Sequence, residues 1–284
     1  YALERRQFGR PIAEFEMIRR KVAEMTAGTY AAESMVYLTT ALAADKTVDA
    51  SIESALCKIV ASENAWRVVN HAVQIAGGNG FIREYPFERA LRDCRINMIF
   101  EGTNEILRLF VALAAVQDLG EQLKKVGAAL KHPIAEIGVL GEFALRKARQ
   151  AITDPRFPGI HPVLSRSALR AGHYAEALSE AAEGALRAHG RGYVEREYVH
   201  ERLAEAAGTL YAFIACLSRA NTRVHALGTA AARRDILLTR TYGNAAWRRI
   251  RRLLHQVTRN QDANLTKVSD LAYESRGFGP DLVG

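Results

Sequence analysis

Cysteine and proline are scarce in this chain, and each scarcity excludes a class of structure. The 284 residues include three cysteines, Cys57, Cys94 and Cys216, which are scattered and lack metal-ligand spacing. We therefore expect a reducing compartment, with neither a disulfide framework nor a metal site. Seven prolines interrupt the chain, and the alternation of apolar and polar residues that marks half-buried strands is missing. These absences predict an all-α protein.

Long apolar runs are also absent. No run approaches the ~20 residues that a helix needs to cross a bilayer. Charged residues begin at once, with Glu4, Arg5 and Arg6, so we expect no signal peptide. Apolar residues make up 49% of the chain and charged residues 25%, which predicts a soluble protein with a sizeable buried core.

Acidic residues are nearly missing from 219–259. Ten arginines against the single acid Asp235 give this segment a net charge of +9, whereas the whole chain carries +8. Such a basic patch favours an anionic partner: phosphate, a lipid headgroup or nucleic acid. Nucleic acid is the least favoured, because few aromatic residues interleave with the arginines for base stacking. The alternative is a solvated helix face without a partner.

Part of this segment, 230–259, has the pattern of an amphipathic helix. Its apolar residues recur at helical spacing; they are Ala246, Ile250, Leu253, Leu254 and Val257. A basic amphipathic helix can lie on an anionic membrane surface, so peripheral membrane contact through 230–259 is one interpretation. The other is that the apolar face packs inside the domain.

Helical periodicity predicts two groups of helices separated by a change in sequence character. The first group is predicted at 14–45, 51–75, 87–93 and 103–126. The second is predicted at 163–188, 195–220, 230–259 and 265–273, after an extended connector at 154–162. A boundary expected within 119–130 divides the chain into domains at 1–118 and 119–284.

Two segments of the first domain have residue types that suit an anionic or extended ligand. Three glycines within four residues, Gly77, Gly78 and Gly80, follow the second predicted helix. One glycine ends a helix, whereas consecutive glycines let a ligand lie against the backbone, and Gln74 offers an amide beside them. Arg5 supplies a fork of donors that suits phosphate, or it is a surface charge.

Glu101 is the candidate general base. It ends an apolar run, precedes Gly102, and Thr103 then opens a strongly periodic helix. Ile99 and Phe100 flank the carboxylate, so we expect it to be partly desolvated, which favours proton-transfer chemistry. The alternative is an acid that stabilises the helix dipole.

Four segments, in this order and at these distances, resemble the acyl-CoA dehydrogenase family. They are ERRQFGRPI at 4–12, QIAGGNGF at 74–81, YPFERALRDCR at 85–95 and FEGTNEILR at 100–108. The chain is most similar to the very-long-chain branch, which has an extra helical region after its catalytic helical domain. The resemblance therefore implies a four-helix-bundle-type domain without its first helix, followed by a second helical domain.

The resemblance also implies roles for individual residues. Glu101 corresponds to the base that removes the α-proton of an acyl-CoA thioester, and Gly102 corresponds to a substrate contact. Thr103 and Glu105 match positions that touch FAD in their own subunit. The positions that match contacts to the FAD of a partner subunit are Arg5, Gln7, Phe8, Gln74, Gly77 and Gly78. One departure is Glu16, where many relatives have glutamine near the adenine.

The function implied by the resemblance is the C-terminal part of an FAD-dependent acyl-CoA dehydrogenase of fatty acid β-oxidation. The implied partners are long-chain acyl-CoA, electron-transfer flavoprotein and a second copy of the chain, in the cytoplasm or the mitochondrial matrix. Nothing here corresponds to the family's N-terminal helical and middle β-domains, so we expect this chain alone to be inactive. The alternatives are an acyl-CoA oxidase, or a non-catalytic helical module that binds membrane or DNA through 219–259.

Overall fold

The structure is a computed structural model that describes residues 1–116 and 159–278. Within these ranges it is nearly all helical, with one short hairpin formed by β1 (Arg6–Gln7) and β2 (Arg10–Pro11). The predicted all-α class is therefore confirmed. The expected boundary at 119–130, the helix beyond 116 and most of the connector lie outside the described residues.

The first half contains five helices in its described part. They are α1 (Glu16–Ala44), α2 (Ser51–Ala76), the short α3 (Gly78–Phe81), α4 (Phe87–Arg95) and α5 at 104–116. Single 3-10 turns at Ile12–Glu14 and Ile96–Met98 precede α1 and follow α4. Three of the four longer helices, α1, α2 and α4, have both ends described. Their predicted positions are confirmed to within two residues.

In its described part, the second half contains four further α-helices. They are α6 (Ser165–His189), α7 (Glu197–Ala231), α8 (Arg233–Thr258) and α9 (Asp262–Glu274). The predicted end of α7 at residue 220 is wrong, because Val224 continues the buried face and is 2% exposed. The real break is at Gly228, whose φ of 78° and ψ of 164° are non-helical.

α7 lies at the centre of the molecule and packs against α1, α2, α6 and α8. One hydrophobic cluster joins the two halves, with Tyr30, Met35, Leu56 and Val111 from the first half and Ala212 and Cys216 from α7. Met35 and Cys216 are fully buried. The two predicted domains therefore share part of a core.

The apolar face of α8 is buried in the protein core. Ala246, Ile250, Leu253 and Val257 are 1–7% exposed and belong to clusters with α6 and α7. The interpretation in which this face contacts a membrane is therefore wrong, and internal packing accounts for the pattern. In the described ranges, no helix is both long and apolar enough to cross a membrane.

Candidate active site

The segment around Glu101 forms a tight turn between the 3-10 turn at Ile96–Met98 and α5. Glu101 has a φ of 55° and Gly102 a φ of 88°. A positive φ is easy for glycine but strained for glutamate, and such strain is concentrated at functional sites. A Cβ at Gly102 would only touch Leu107 Cδ2, at 3.4 Å, so the positive φ, and not a lack of space, favours glycine at position 102.

Lys58, on α2, holds this turn in place. Its Nζ donates hydrogen bonds to the Gly102 carbonyl oxygen at 2.7 Å and to Asn104 Oδ1 at 2.8 Å. Asn104 is 2% exposed, and its Nδ2 donates to Ser62 Oγ at 3.0 Å. Desolvation lowers the pKa of Lys58, while the nearby carboxylates, including Glu101, act in the opposite direction. The turn is thus anchored to α2 through buried polar groups.

Glu101 itself is exposed on this turn. The prediction that its apolar neighbours desolvate it is wrong for the described chain, since Ile99 is 46% and Phe100 48% exposed. The reason is geometric, because the turn stands at the surface of the bundle instead of entering its core. The carboxylate is therefore free to meet a ligand.

Thr103 directly precedes α5, which begins at residue 104, one residue later than predicted. Its Oγ1 accepts a hydrogen bond from the Ile106 N–H at 3.3 Å, and its carbonyl oxygen accepts one from the Leu107 N–H at 3.0 Å. Glu105 is exposed on the first turn of the same helix. Glu101, Gly102, Thr103 and Glu105 thus lie together on this turn and the first turn of α5.

A second group of predicted residues lies on the β1–β2 hairpin. Gln7 pairs with Arg10, and the two residues between them, Phe8 and Gly9, have φ values of 52° and 81°. Positive φ at both central positions is typical of a two-residue hairpin turn. Phe8 is 92% exposed, and Arg5 and Gln7 are exposed too. The hairpin thus presents an arginine, an amide and an aromatic ring to solvent.

The glycine cluster ends α2 next to Tyr1, at the start of the segment that leads into the hairpin. Gly77 has a φ of 59°, whereas Gly78 has neither a positive φ nor any atom within 4 Å of a Cβ built on it. Neither backbone nor packing therefore requires glycine at position 78. Tyr1 Oη donates to the Ala76 carbonyl oxygen at 3.0 Å, which ties the N-terminal segment to the glycine end of α2.

The two groups of predicted residues lie far apart within the chain. Lys58 marks the Glu101 turn and Ala76 marks the glycine end of α2. Their separation of 18 positions along one helix corresponds to about 27 Å at 1.5 Å per residue. The structure therefore forms two separate clusters, one at the Glu101 turn and one at the glycine end of α2.

Sequence reasoning missed a charged network behind the Glu101 turn. Arg108, on α5, contacts the carboxylate of Glu63 and donates to Glu205 Oε1 of α7 at 3.1 Å. Glu205 Oε2 in turn accepts from Arg249 of α8 at 3.1 Å. Arg108 is 7% exposed. The only sequence signals were isolated charges in apolar surroundings, Lys58 in ALCKIVA and Arg108 in ILRLFV.

Comparisons with known proteins assign both halves of the chain. Residues 1–116 match the acyl-CoA dehydrogenase C-terminal domain, and residues 162–278 match the ACAD9/ACADV C-terminal domain. The very long-chain specific mitochondrial acyl-CoA dehydrogenase of Homo sapiens is 41% identical over 88% of this chain and 39% of its own length. The corresponding Macaca fascicularis protein is 43% identical over 78% of this chain and 34% of its own length. The chain thus spans roughly a third to two fifths of these relatives.

A solved structure supports the same assignment. The acyl-CoA dehydrogenase from Bacillus anthracis, crystallised with FAD, aligns with 99% of this chain and 49% of its own. The TM-score is 0.72 and the sequence identity is 29%. The chain therefore belongs to the acyl-CoA dehydrogenase family and carries its C-terminal helical part.

Proposed function

We propose that this chain is the C-terminal part of an FAD-dependent acyl-CoA dehydrogenase that acts on long-chain acyl-CoA. The observation that carries the proposal is the Glu101–Gly102 turn. It presents an exposed carboxylate on a backbone with positive φ at both residues, and Lys58 fixes that backbone from α2. Strain that is maintained by a dedicated anchor is typical of a positioned catalytic group.

Glu101 is the base in this proposal. Its carboxylate removes the α-proton of the acyl-CoA thioester, which yields the trans-2-enoyl product as the β-hydrogen leaves with its electron pair. The Glu101 backbone N–H donates to the thioester carbonyl oxygen, where negative charge develops. Gly102 is exposed and has no side chain, so it would let the acyl chain lie against the backbone next to Glu101.

FAD, when bound, supplies the hydride acceptor. Thr103 and Glu105 lie beside Glu101 and are the residues that would hold it in the same subunit. The features that fit a second flavin contact are the exposed fork of Arg5, the exposed ring of Phe8 and the open backbone at Gly78. Gln7, Gln74 and Gly77 belong to the same cluster.

We also propose a homodimer, which the separation of the two clusters supports. The Gly77 end of α2 lies about 27 Å along the helix from the Lys58 anchor, so each cluster is expected to serve a different flavin. The hairpin and glycine cluster of one subunit would then contact the FAD held at the Glu101 turn of the other. Each active site would be incomplete without the second copy.

The remaining partners follow from the same chemistry. Reduced flavin has to be reoxidised, and we propose electron-transfer flavoprotein as the acceptor. The relatives named above are mitochondrial proteins, which supports the mitochondrial matrix more than the cytoplasm as the location. The buried apolar face of α8 removes the reason to include membrane contact.

The test uses the full-length protein that contains this chain. Incubation with long-chain acyl-CoA and an artificial electron acceptor should give trans-2-enoyl-CoA without stoichiometric hydrogen peroxide. Peroxide at one equivalent per turnover would identify an oxidase instead. The chain on its own should be colourless and inactive, because the rest of the flavin site is expected to lie outside it. A yellow, active isolated chain would contradict this point.

A further inference from the structure

A groove between α6 and α8 is lined by three arginines and by no acidic residue within the described part of the chain. Its volume is about 520 Å³. The side chains around it are Val163, Arg166, Ser167, Arg170, Phe213, Arg240 and Asn244, with Gly243 below them. Three like charges facing one concave space repel each other, which makes the groove a site for an anion.

Two of the arginines are fixed in orientation by neutral partners. Arg240 Nη2 donates to the Val163 carbonyl oxygen at 2.9 Å. Arg170 Nη1 donates to Asn244 Oδ1 at 3.1 Å. These bonds use one donor from each guanidinium and leave its positive charge unpaired. Arg166 has neither an ion pair nor a hydrogen bond to any residue that the structure describes, so its full fork is available.

An aromatic side chain extends the basic surface beyond the groove. The Arg170 guanidinium lies 5.5 Å from the Trp247 ring centroid, and that of Arg251 lies 5.2 Å from it. Cation–π contacts of this kind hold guanidinium groups in place without neutralising them. Four arginines thus converge on one surface, and in the described ranges none of them forms a salt bridge.

We propose that this groove binds the phosphate groups of a soluble organic phosphate, such as an organic diphosphate. Guanidinium forks match phosphate oxygens in geometry and charge, and Ser167 and Asn244 add neutral polar groups at the rim. A soluble ligand fits better than a lipid surface because the groove is concave. Of its apolar residues, Phe213 and Gly243 are buried and Val163 is half-buried, so the groove presents no exposed apolar side chain that could insert into a bilayer.

The test is titration calorimetry of the full-length protein with inorganic pyrophosphate, first at low and then at high salt. Arg166→Gln removes the arginine that has no hydrogen-bond or ion-pair partner among the described residues. We expect the affinity of this variant for pyrophosphate to fall about tenfold or more, because a charge-assisted hydrogen bond is lost. Arg170→Lys keeps the charge but loses the fork, and should also bind more weakly. Arg191→Gln makes the same charge change at an exposed site outside the groove and should bind like wild type.

The outcomes separate this site from a general basic surface and from a membrane site. Absence of pyrophosphate binding, or equal loss of affinity in Arg166→Gln and Arg191→Gln, would overturn the proposal. Phosphatidylserine–phosphatidylcholine vesicles are the second probe. If the protein pellets with these vesicles in an Arg166-dependent way and pyrophosphate does not release it, the groove contacts a lipid surface. That result would also overturn the proposal.

Discussion

The ammonium group of Lys58 lies 2.7 Å from the carbonyl oxygen of Gly102, 44 residues further along the chain. The same group reaches Asn104 Oδ1 at 2.8 Å. One side chain of α2 therefore fixes both the turn that carries Glu101 and the start of α5. This relationship makes Lys58 a positioning residue for the proposed base, and it leads to the first prediction.

Lys58→Met should lower kcat of the full-length protein by about tenfold or more with little change in KM, because small displacements of a catalytic group cost up to ~10²-fold. Lys58→Arg keeps a cationic donor and should recover part of the rate. Lys46→Met, in the exposed loop after α1, is the matched control. A wild-type kcat for Lys58→Met, measured by steady-state kinetics, would rule out the positioning role.

Gly78→Ala should reduce the flavin content of the full-length protein while leaving its melting temperature nearly unchanged. No atom lies within 4 Å of a Cβ at this position, so the fold tolerates the methyl group, but a ligand lying against the backbone would not. Gly184→Ala, on an equally open helix surface, is the control. The FAD-to-protein absorbance ratio measures the effect, and an unchanged ratio would count against flavin contact at Gly78.

Arg108→Met should destabilise the protein by about 3 kcal/mol, because it leaves the partly buried carboxylates of Glu63 and Glu205 without their shared cation. Arg89→Met removes a surface partner of Asp93, with side chains 77% and 62% exposed, and should cost less than about 1 kcal/mol. Urea unfolding of the wild type and of both variants measures the two losses in the free energy of unfolding. Equal losses would show that the network adds no more than a surface pair.

His200 should make the protein less stable in mild acid. It is fully buried beside Tyr193, and neither of its ring nitrogens has a hydrogen-bond partner among the described residues. Burial lowers the pKa of His200 below its ordinary value of 6.5. The unfolded chain therefore binds a proton that the folded chain does not, and stability is lost as pH falls below about 6.5.

The measurement is urea unfolding at pH 7.5 and pH 5.5. His200→Leu removes the titrating group and should lose less stability between these values than the wild type. His173→Leu changes an exposed histidine whose side chain is 60% exposed and should keep the wild-type pH dependence. The same acid sensitivity in wild type and His200→Leu would exclude His200 as its source.

Helical periodicity was sufficient to predict most of the fold. α1, α2, α4 and α6 follow their predicted ranges to within two residues at each end, because apolar spacing and terminal glycines act locally. The spacing of apolar residues did not determine what covers the apolar face of α8. A face that packs on α7 and a face that lies on a membrane have the same spacing, and the structure alone separated them.

The candidate site was only partly predictable for a similar reason. The Glu101–Gly102–Thr103 sequence indicated a base before a helix, and the structure places those residues on one turn. The contacts that hold the turn join residues that are distant in sequence. Lys58 and Asn104 are 46 residues apart, and Arg108 and Glu205 are 97 apart. Such pairs depend on how whole helices pack, which the local sequence does not contain.

The central claim is that Glu101 is the base of an acyl-CoA dehydrogenase. The most direct test is the kcat of Glu101→Gln in the full-length protein with a long-chain acyl-CoA, compared with Glu84→Gln at an exposed turn position. Flavin content is measured for both, so that loss of cofactor is not mistaken for loss of the base. The account predicts that kcat falls by at least ~10²-fold in Glu101→Gln and stays near wild type in Glu84→Gln. Near-wild-type turnover by flavin-loaded Glu101→Gln would contradict it.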